Sequence, residues 1–148
     1  LDLICILQPE PLLIRADSRR IWRVLENLYV NVCKYAMPGT RVYVDAIKKD
    51  GKIQFSIKNI SENPLNFQAD ELTERFIRGD VSRSTEGSGL GLSIAKNLTV
   101  LQHGTFNIYL DGDLFKVTIT FDEAVKEKKP MSPMIVPEPV QEEAQQDV

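Results

Sequence analysis

The stretch Thr85-Glu86-Gly87-Ser88-Gly89-Leu90-Gly91-Leu92-Ser93-Ile94-Ala95-Lys96 constrains this chain more than any other. Glycines at alternate positions run straight into an apolar-periodic segment that predicts a helix over residues 90–102. Bare backbone N–H groups beside a helix N-terminus can face an anion, and phosphate is the obvious guest. The preceding Arg78-Gly79-Asp80-Val81-Ser82-Arg83-Ser84 is polar and reads as a loop. A dinucleotide-binding fold would place a buried strand there, and a P-loop would end in Gly-Lys-Ser/Thr, so both readings are weakened. The alternative is that the glycines serve only a turn and close helix packing.

A second motif lies upstream. Residues 17–36 read DSRRIWRVLENLYVNVCKYA, in which Ile21, Val24, Leu25, Leu28 and Val32 form one apolar face, with Asp17 or Ser18 as N-cap. Asn27, Asn31 and Lys34 form a second stripe beside that face. Each asparagine lowers helix propensity by roughly half a kcal/mol relative to Ala, so something should compensate. An amide oxygen is a hard, neutral ligand suited to Mg²⁺, which completes its octahedron with water and nucleotide phosphates. Lys34, one turn on, can place a point charge beside those phosphates. The competing reading is that both amides merely tie helix ends to neighbouring loops.

Val24-Leu25-Glu26-Asn27-Leu28 followed by Asn31-Val32-Cys33-Lys34-Tyr35-Ala36 resembles the asparagine box of sensor histidine kinases. Arg75-Phe76-Ile77-Arg78-Gly79-Asp80-Val81-Ser82-Arg83 resembles their phenylalanine box, and residues 87–96 their second glycine box. The resemblance covers residues 1–121. It implies the catalytic ATP-binding domain of a two-component sensor kinase, in the superfamily that also holds gyrase-type, mismatch-repair and chaperone ATPases. On this pattern Asn31 is the Mg²⁺ ligand with Asn27 beside it, and Lys34 touches phosphate. Tyr35 lies near the base or ribose, where its ring adds stacking area. Gly87, Ser88, Gly89, Leu90, Gly91 and Leu92 form the nucleotide-facing bend. Arg78 and Arg83 reach the terminal phosphate from a mobile lid over residues 66–86 that Phe76 anchors, although either arginine can equally be a solvated charge.

One box departs from the pattern. Where the family has Asp-x-Gly-x-Gly, this chain has Asn59-Ile60-Ser61-Glu62-Asn63-Pro64. Asn59 can still accept a hydrogen bond from the adenine amine, but it adds a donor and lacks the charge, so weaker or retuned base binding is expected. Loss of both glycines also stiffens the lid hinge.

What the resemblance implies is Mg²⁺-dependent ATP binding and presentation of the γ-phosphate to a histidine on a separate dimerisation domain. The parent is expected to be a homodimer that communicates with the receiver domain of a response regulator. This chain supplies no phosphoacceptor and no catalytic residue of its own. A nucleotide-binding regulatory pseudokinase domain is the alternative, motivated by the altered glycine box. An ATP-operated clamp of the gyrase type normally carries a transducer domain, and the long lid argues against an anti-sigma-type serine kinase.

A net charge of −3 gives no basic footprint for nucleic acid. No apolar run approaches the ~20 residues needed to span a bilayer, and no secretory leader is seen. The chain starts at Leu1 without an initiator Met, as an excised cytoplasmic domain would, and the parent can be anchored in the cell membrane. Cys5 and Cys33 are expected as buried free thiols, and His103 as a helix-capping cation before a helix-stopping Gly104.

Short β-runs are expected at 1–7 and 12–15, and hairpins at 41–47/52–58 and 105–110/114–121, with turns at Lys49-Asp50-Gly51 and Asp111-Gly112-Asp113. Helices over 18–36 and 90–102 cover one face, with a short helix at 70–76. The fold class is therefore a two-layer α/β sandwich, with a mixed, mostly antiparallel sheet under helices. Residues 122–148, rich in Pro, Glu and Gln, read as a disordered tail, with 131–140 a candidate docking motif.

Overall fold

A computed structural model of the chain describes residues 1–65 and 90–125. Phe76, Arg78, Arg83, Gly87, Ser88 and Gly89 lie outside the described residues, as do the lid, its expected helix and most of the expected tail.

Among the described residues, five strands and two helices follow in the order β1 (Asp2–Leu7), α1 (Ser18–Tyr35), β2 (Arg41–Lys49), β3 (Lys52–Ile60), α2 (Gly91–Leu101), β4 (Thr105–Asp111) and β5 (Leu114–Asp122). The sheet order is β1-β2-β3-β5-β4, with β1 parallel to β2 and every other pairing antiparallel. A parallel neighbour requires a crossover, and α1 supplies it between β1 and β2. The architecture is α+β, as the sequence pattern implies.

Turn chemistry sets the register. Asp50 and Gly51 both adopt positive φ, 52° and 71°, the backbone that a two-residue hairpin between twisted strands requires. Across that turn Lys49 pairs with Lys52 and Val44 with Ile57, so Val42, Val44, Ile53 and Ile57 face the helices. Val117, Ile119 and Phe121 join them from β5, while α1 contributes Val24, Leu28 and Val32 and α2 contributes Leu92 and Ala95. Burying such side chains contributes about 1.5–3 kcal/mol each and gives the two layers their cohesion.

Three sequence expectations need correction. The run at 12–15 is not a strand; it makes a single bridge, Ile14 to Glu123. Both cysteines are exposed, because β1 is an edge strand whose whole length faces solvent and Cys33 lies on the outer side of α1. At the end of α2 the left-handed residue is His103, with φ 64°, and Gly104 serves a different purpose. A Cβ on Gly104 would stand 2.6 Å from the Phe121 ring and 2.8 Å from the Thr99 methyl, so Gly104 permits close packing rather than an unusual backbone angle. Burial, and secondarily the Cys5 charge, raises the Tyr29 phenol above its ordinary pKa.

Candidate functional site

Two fixed points align the helices. Asp17 caps α1 by accepting from the Arg19 and Arg20 N–H groups at 2.9 and 3.1 Å, while its own N–H donates to Gln102 Oε1 at 2.8 Å. Gln102 Nε2 donates to the Leu98 carbonyl, so the same side chain holds the end of α2. Farther along, a Cβ on Gly91 would lie 3.3 Å from Asn27 Oδ1. The start of α1 therefore meets the end of α2, and the start of α2 meets the middle of α1. The helices are antiparallel, and the N-terminus of α2 is directed towards the second half of α1.

That second half carries the amide stripe. At about 1.5 Å rise per residue, Asn27, Asn31 and Tyr35 succeed one another at intervals of about 6 Å along one side of α1. Asn27 donates through Nδ2 to the Arg23 carbonyl at 2.7 Å, leaving its oxygen towards Gly91. Asn31 is half-buried, Lys34 is exposed in the last turn, and Tyr35 is 41% exposed. At the head of α2 the residue before the helix, Leu90, offers no side-chain cap. By helix geometry the early N–H groups of α2 have no intrahelical partner, and a helix N-terminus favours an anion.

The end of β3 is fastened to the end of α1. Met37 N–H donates to the Ile60 carbonyl at 2.9 Å, Glu62 N–H to the Tyr35 carbonyl at 2.8 Å, and Ala36 bridges Ser61. Asn59 sits at this junction, only 3% exposed, on the same face of β3 as Ile57. Its Nδ2 donates to the Ile60 carbonyl at 3.1 Å. Its Oδ1 is buried and has no hydrogen-bond partner among the described residues. Leaving such an acceptor unpaired costs about 1–3 kcal/mol, a loss that a ligand donor can recover.

Of the residues picked from sequence, Asn27 and Gly91 meet at the α1–α2 contact, Leu92 packs into the core beneath it, Leu90 is exposed just before α2, and Asn59 joins the C-terminal end of α1, where Tyr35 lies. Sequence reasoning missed the Ile60 carbonyl and the Met37 N–H, which orient Asn59; backbone groups carry no residue-type signal. No group of three or more His, Cys, Asp or Glu side chains converges among the described residues. The hard donors that the amide stripe offers a cation are thus asparagine oxygens, which suit Mg²⁺ completed by phosphate and water.

The chain is 32% identical over 106 residues to the sensor histidine kinase HprS of Escherichia coli strain K12, covering 70% of this chain and 23% of that protein. It therefore spans less than a quarter of that relative's length. The catalytic domain of the histidine kinase ThkA superposes with a TM-score of 0.68 at 23% identity, covering 82% of this chain and 78% of that one. Full-length ShkA in complex with AMPPNP gives 0.66 at 22% identity, covering 83% of this chain and 26% of that one. Residues 16–126 match the profile of the histidine kinase-, DNA gyrase B- and HSP90-like ATPases, and this chain belongs to that family.

Proposed function

We propose that the chain is the Mg²⁺-ATP-binding catalytic domain of a sensor histidine kinase, holding nucleotide between the second half of α1, the end of β3 and the start of α2. The observation that carries the reading is the buried, unpartnered Oδ1 of Asn59 beside an asparagine-bearing helix. Asn59 accepts from the exocyclic amine of adenine, and Tyr35 lies against the base or ribose. Gly91 and Leu92 bring backbone N–H groups to the phosphates, with Lys34 adding charge. Asn31 is the protein ligand for Mg²⁺, with Asn27 beside it, and the ion when bound neutralises phosphate charge. Phosphoryl transfer needs mainly positioning and charge stabilisation, which amides, N–H groups and cations supply without a nucleophile. That ShkA was solved with AMPPNP supports a nucleotide as the ligand of this fold.

The phosphoacceptor is a histidine on the parent's separate dimerisation domain, and the phosphoryl group passes on to a response-regulator receiver domain. The parent is a homodimer whose catalytic domain faces the cytoplasm. Among the described residues no helix is long and apolar enough to cross a membrane.

Isothermal titration of the 148-residue chain with ATP tests the site. Binding is expected with Mg²⁺ and roughly tenfold weaker binding without it. Absence of binding in both conditions overturns the reading. Labelled ATP given to the chain joined to its upstream histidine-bearing domain should then label protein; binding without transfer indicates a regulatory nucleotide-sensing domain instead.

A further inference from the structure

The two edges of the sheet are finished differently. At one edge β4 packs Phe106, Ile108 and Leu110 against the core and turns Thr105, Asn107, Tyr109 and Asp111 to solvent. At the other, β1 is exposed along its whole length and carries a single charge, Asp2, before Leu3, Ile4, Cys5, Ile6 and Leu7. Its register sets Leu3 and Cys5 beside Val42 and Val44 on the helix side of the sheet, and Ile4 and Ile6 beside Tyr43 and Asp45 on the opposite side. Leu3, Ile6 and Leu7 are nonetheless more than half exposed. An apolar edge with so little charge and no proline is a template for another strand. Asp2 N–H donates to the Thr40 carbonyl, so the even residues of β1 are bonded towards β2. Peptide groups alternate in direction along a strand, and those of Leu3, Cys5 and Leu7 therefore point outward.

The chain carries a segment that fits this edge. β5 runs parallel to β1 and finishes at the same end of the sheet. Beyond it Glu123 bridges Ile14 in the antiparallel sense and Ala124 N–H donates to the Leu13 carbonyl, so the chain heads back along the segment that came from β1. Farther on, outside the described residues, the sequence reads Ser132-Pro133-Met134-Ile135-Val136-Pro137-Glu138-Pro139. Its prolines all fall on odd positions. A strand over these residues keeps the N–H groups of 132, 134, 136 and 138 on one side and turns its prolines to the other, the arrangement in which an edge strand tolerates proline. Distance permits it: four strand spacings from β5 amount to about 19 Å, and the chain from Asp122 to Ser132 can span about 33 Å.

We propose that residues 132–137 dock as a sixth strand on the outer edge of β1, antiparallel to it, with Met134 opposite Cys5 and Val136 opposite Leu3. The antiparallel sense follows from the end of the sheet at which the chain arrives. Met134 and Val136 then join Leu3 and Cys5 on the helix side, and Ile135 meets Ile4 on the other. A slip of one residue either way puts proline opposite Leu3 and Leu7, or opposite Cys5, where an N–H is needed. A slip of two sets Glu138 against Leu3. In the docked register the prolines face outward and close the sheet to further strands.

Amide hydrogen exchange of the full chain, read residue by residue by NMR, tests the docking. The amides of Leu3, Cys5 and Leu7 should exchange roughly tenfold more slowly in the wild type than in Val136→Pro, which places a proline at an inward position. Pro137→Ala alters an outward position and should leave them protected. Thiol labelling gives an independent reading: Cys5 should react roughly tenfold faster in Val136→Pro, while Cys33 on α1 keeps its rate. Exchange at Ile57 reports whether each variant is folded. Unprotected β1 amides in the wild type overturn the proposal whatever the variants do. Protection that survives Val136→Pro also overturns it, and if that protection rises with chain concentration the occupant is a second copy. Equal loss of protection in Val136→Pro and Pro137→Ala refutes the proline parity and the proposal with it.

Discussion

The two ends of the α1–α2 pair are made of similar residues and do opposite things. Where α1 starts and α2 ends, the polar groups close on one another: Asp17 caps α1, Gln102 accepts from Asp17 and donates to Leu98, and Thr99 Oγ1 donates to the Ala95 carbonyl. Towards the other end the accounting does not close. Among the described residues, Asn59 keeps an unpartnered acceptor and Leu90 gives the head of α2 no side-chain cap. Amides occur at both places, so residue type alone does not separate scaffold from site. What separates them is whether the protein itself completes the hydrogen bonds.

Substitutions can break this contrast or sharpen it. The largest effect is expected where the scaffold has no spare room. Gly104→Ala forces a methyl into the Phe121 ring and the Thr99 side chain, and overpacking of this kind costs about 2 kcal/mol. Thermal unfolding should show the loss, while ATP affinity of the folded fraction stays unchanged; a large fall in affinity there would blur the division. At the open end, Asn31→Ala should lower Mg²⁺-ATP affinity roughly tenfold in calorimetry. Its stability should hold or rise by about half a kcal/mol, since Ala is the better helix former. Unchanged affinity would remove Asn31 from the site. Smaller still, Asp17→Ala should cost about 1 kcal/mol in denaturant unfolding through loss of the cap, with no change in binding.

Much of this scaffold is legible in the sequence because its cues are local. The Asp50-Gly51 pair specifies a tight hairpin turn, the apolar face of residues 21–32 specifies a buried stripe, and Asp17 is a recognisable cap. Only the resemblance singles out Asn59, at a position where the family pattern has a carboxylate. The orientation of its amide is not legible there, because it depends on the carbonyl of Ile60 and the N–H of Met37. His103 and Gly104 show the same limit from another side. A glycine after a helix suggests an unusual φ, yet here the histidine takes it and the glycine yields space to a ring from β5 that is distant in sequence. The exposure of Cys5 depends on β1 having a strand on one side only, a fact of topology rather than of composition.

The antiparallel pinning of the helices has a consequence for how such chains can diverge. With Gln102 tied to Asp17 and Gly91 seated on Asn27, the segments between these points act as a fixed gauge. Inserting or deleting one residue in α2 would swing its head by about 100° and displace it along the axis. Gly91 would then leave Asn27 even if every side chain of the two helices were kept. Length variation between Gly91 and Gln102 should therefore be tolerated far less than substitution.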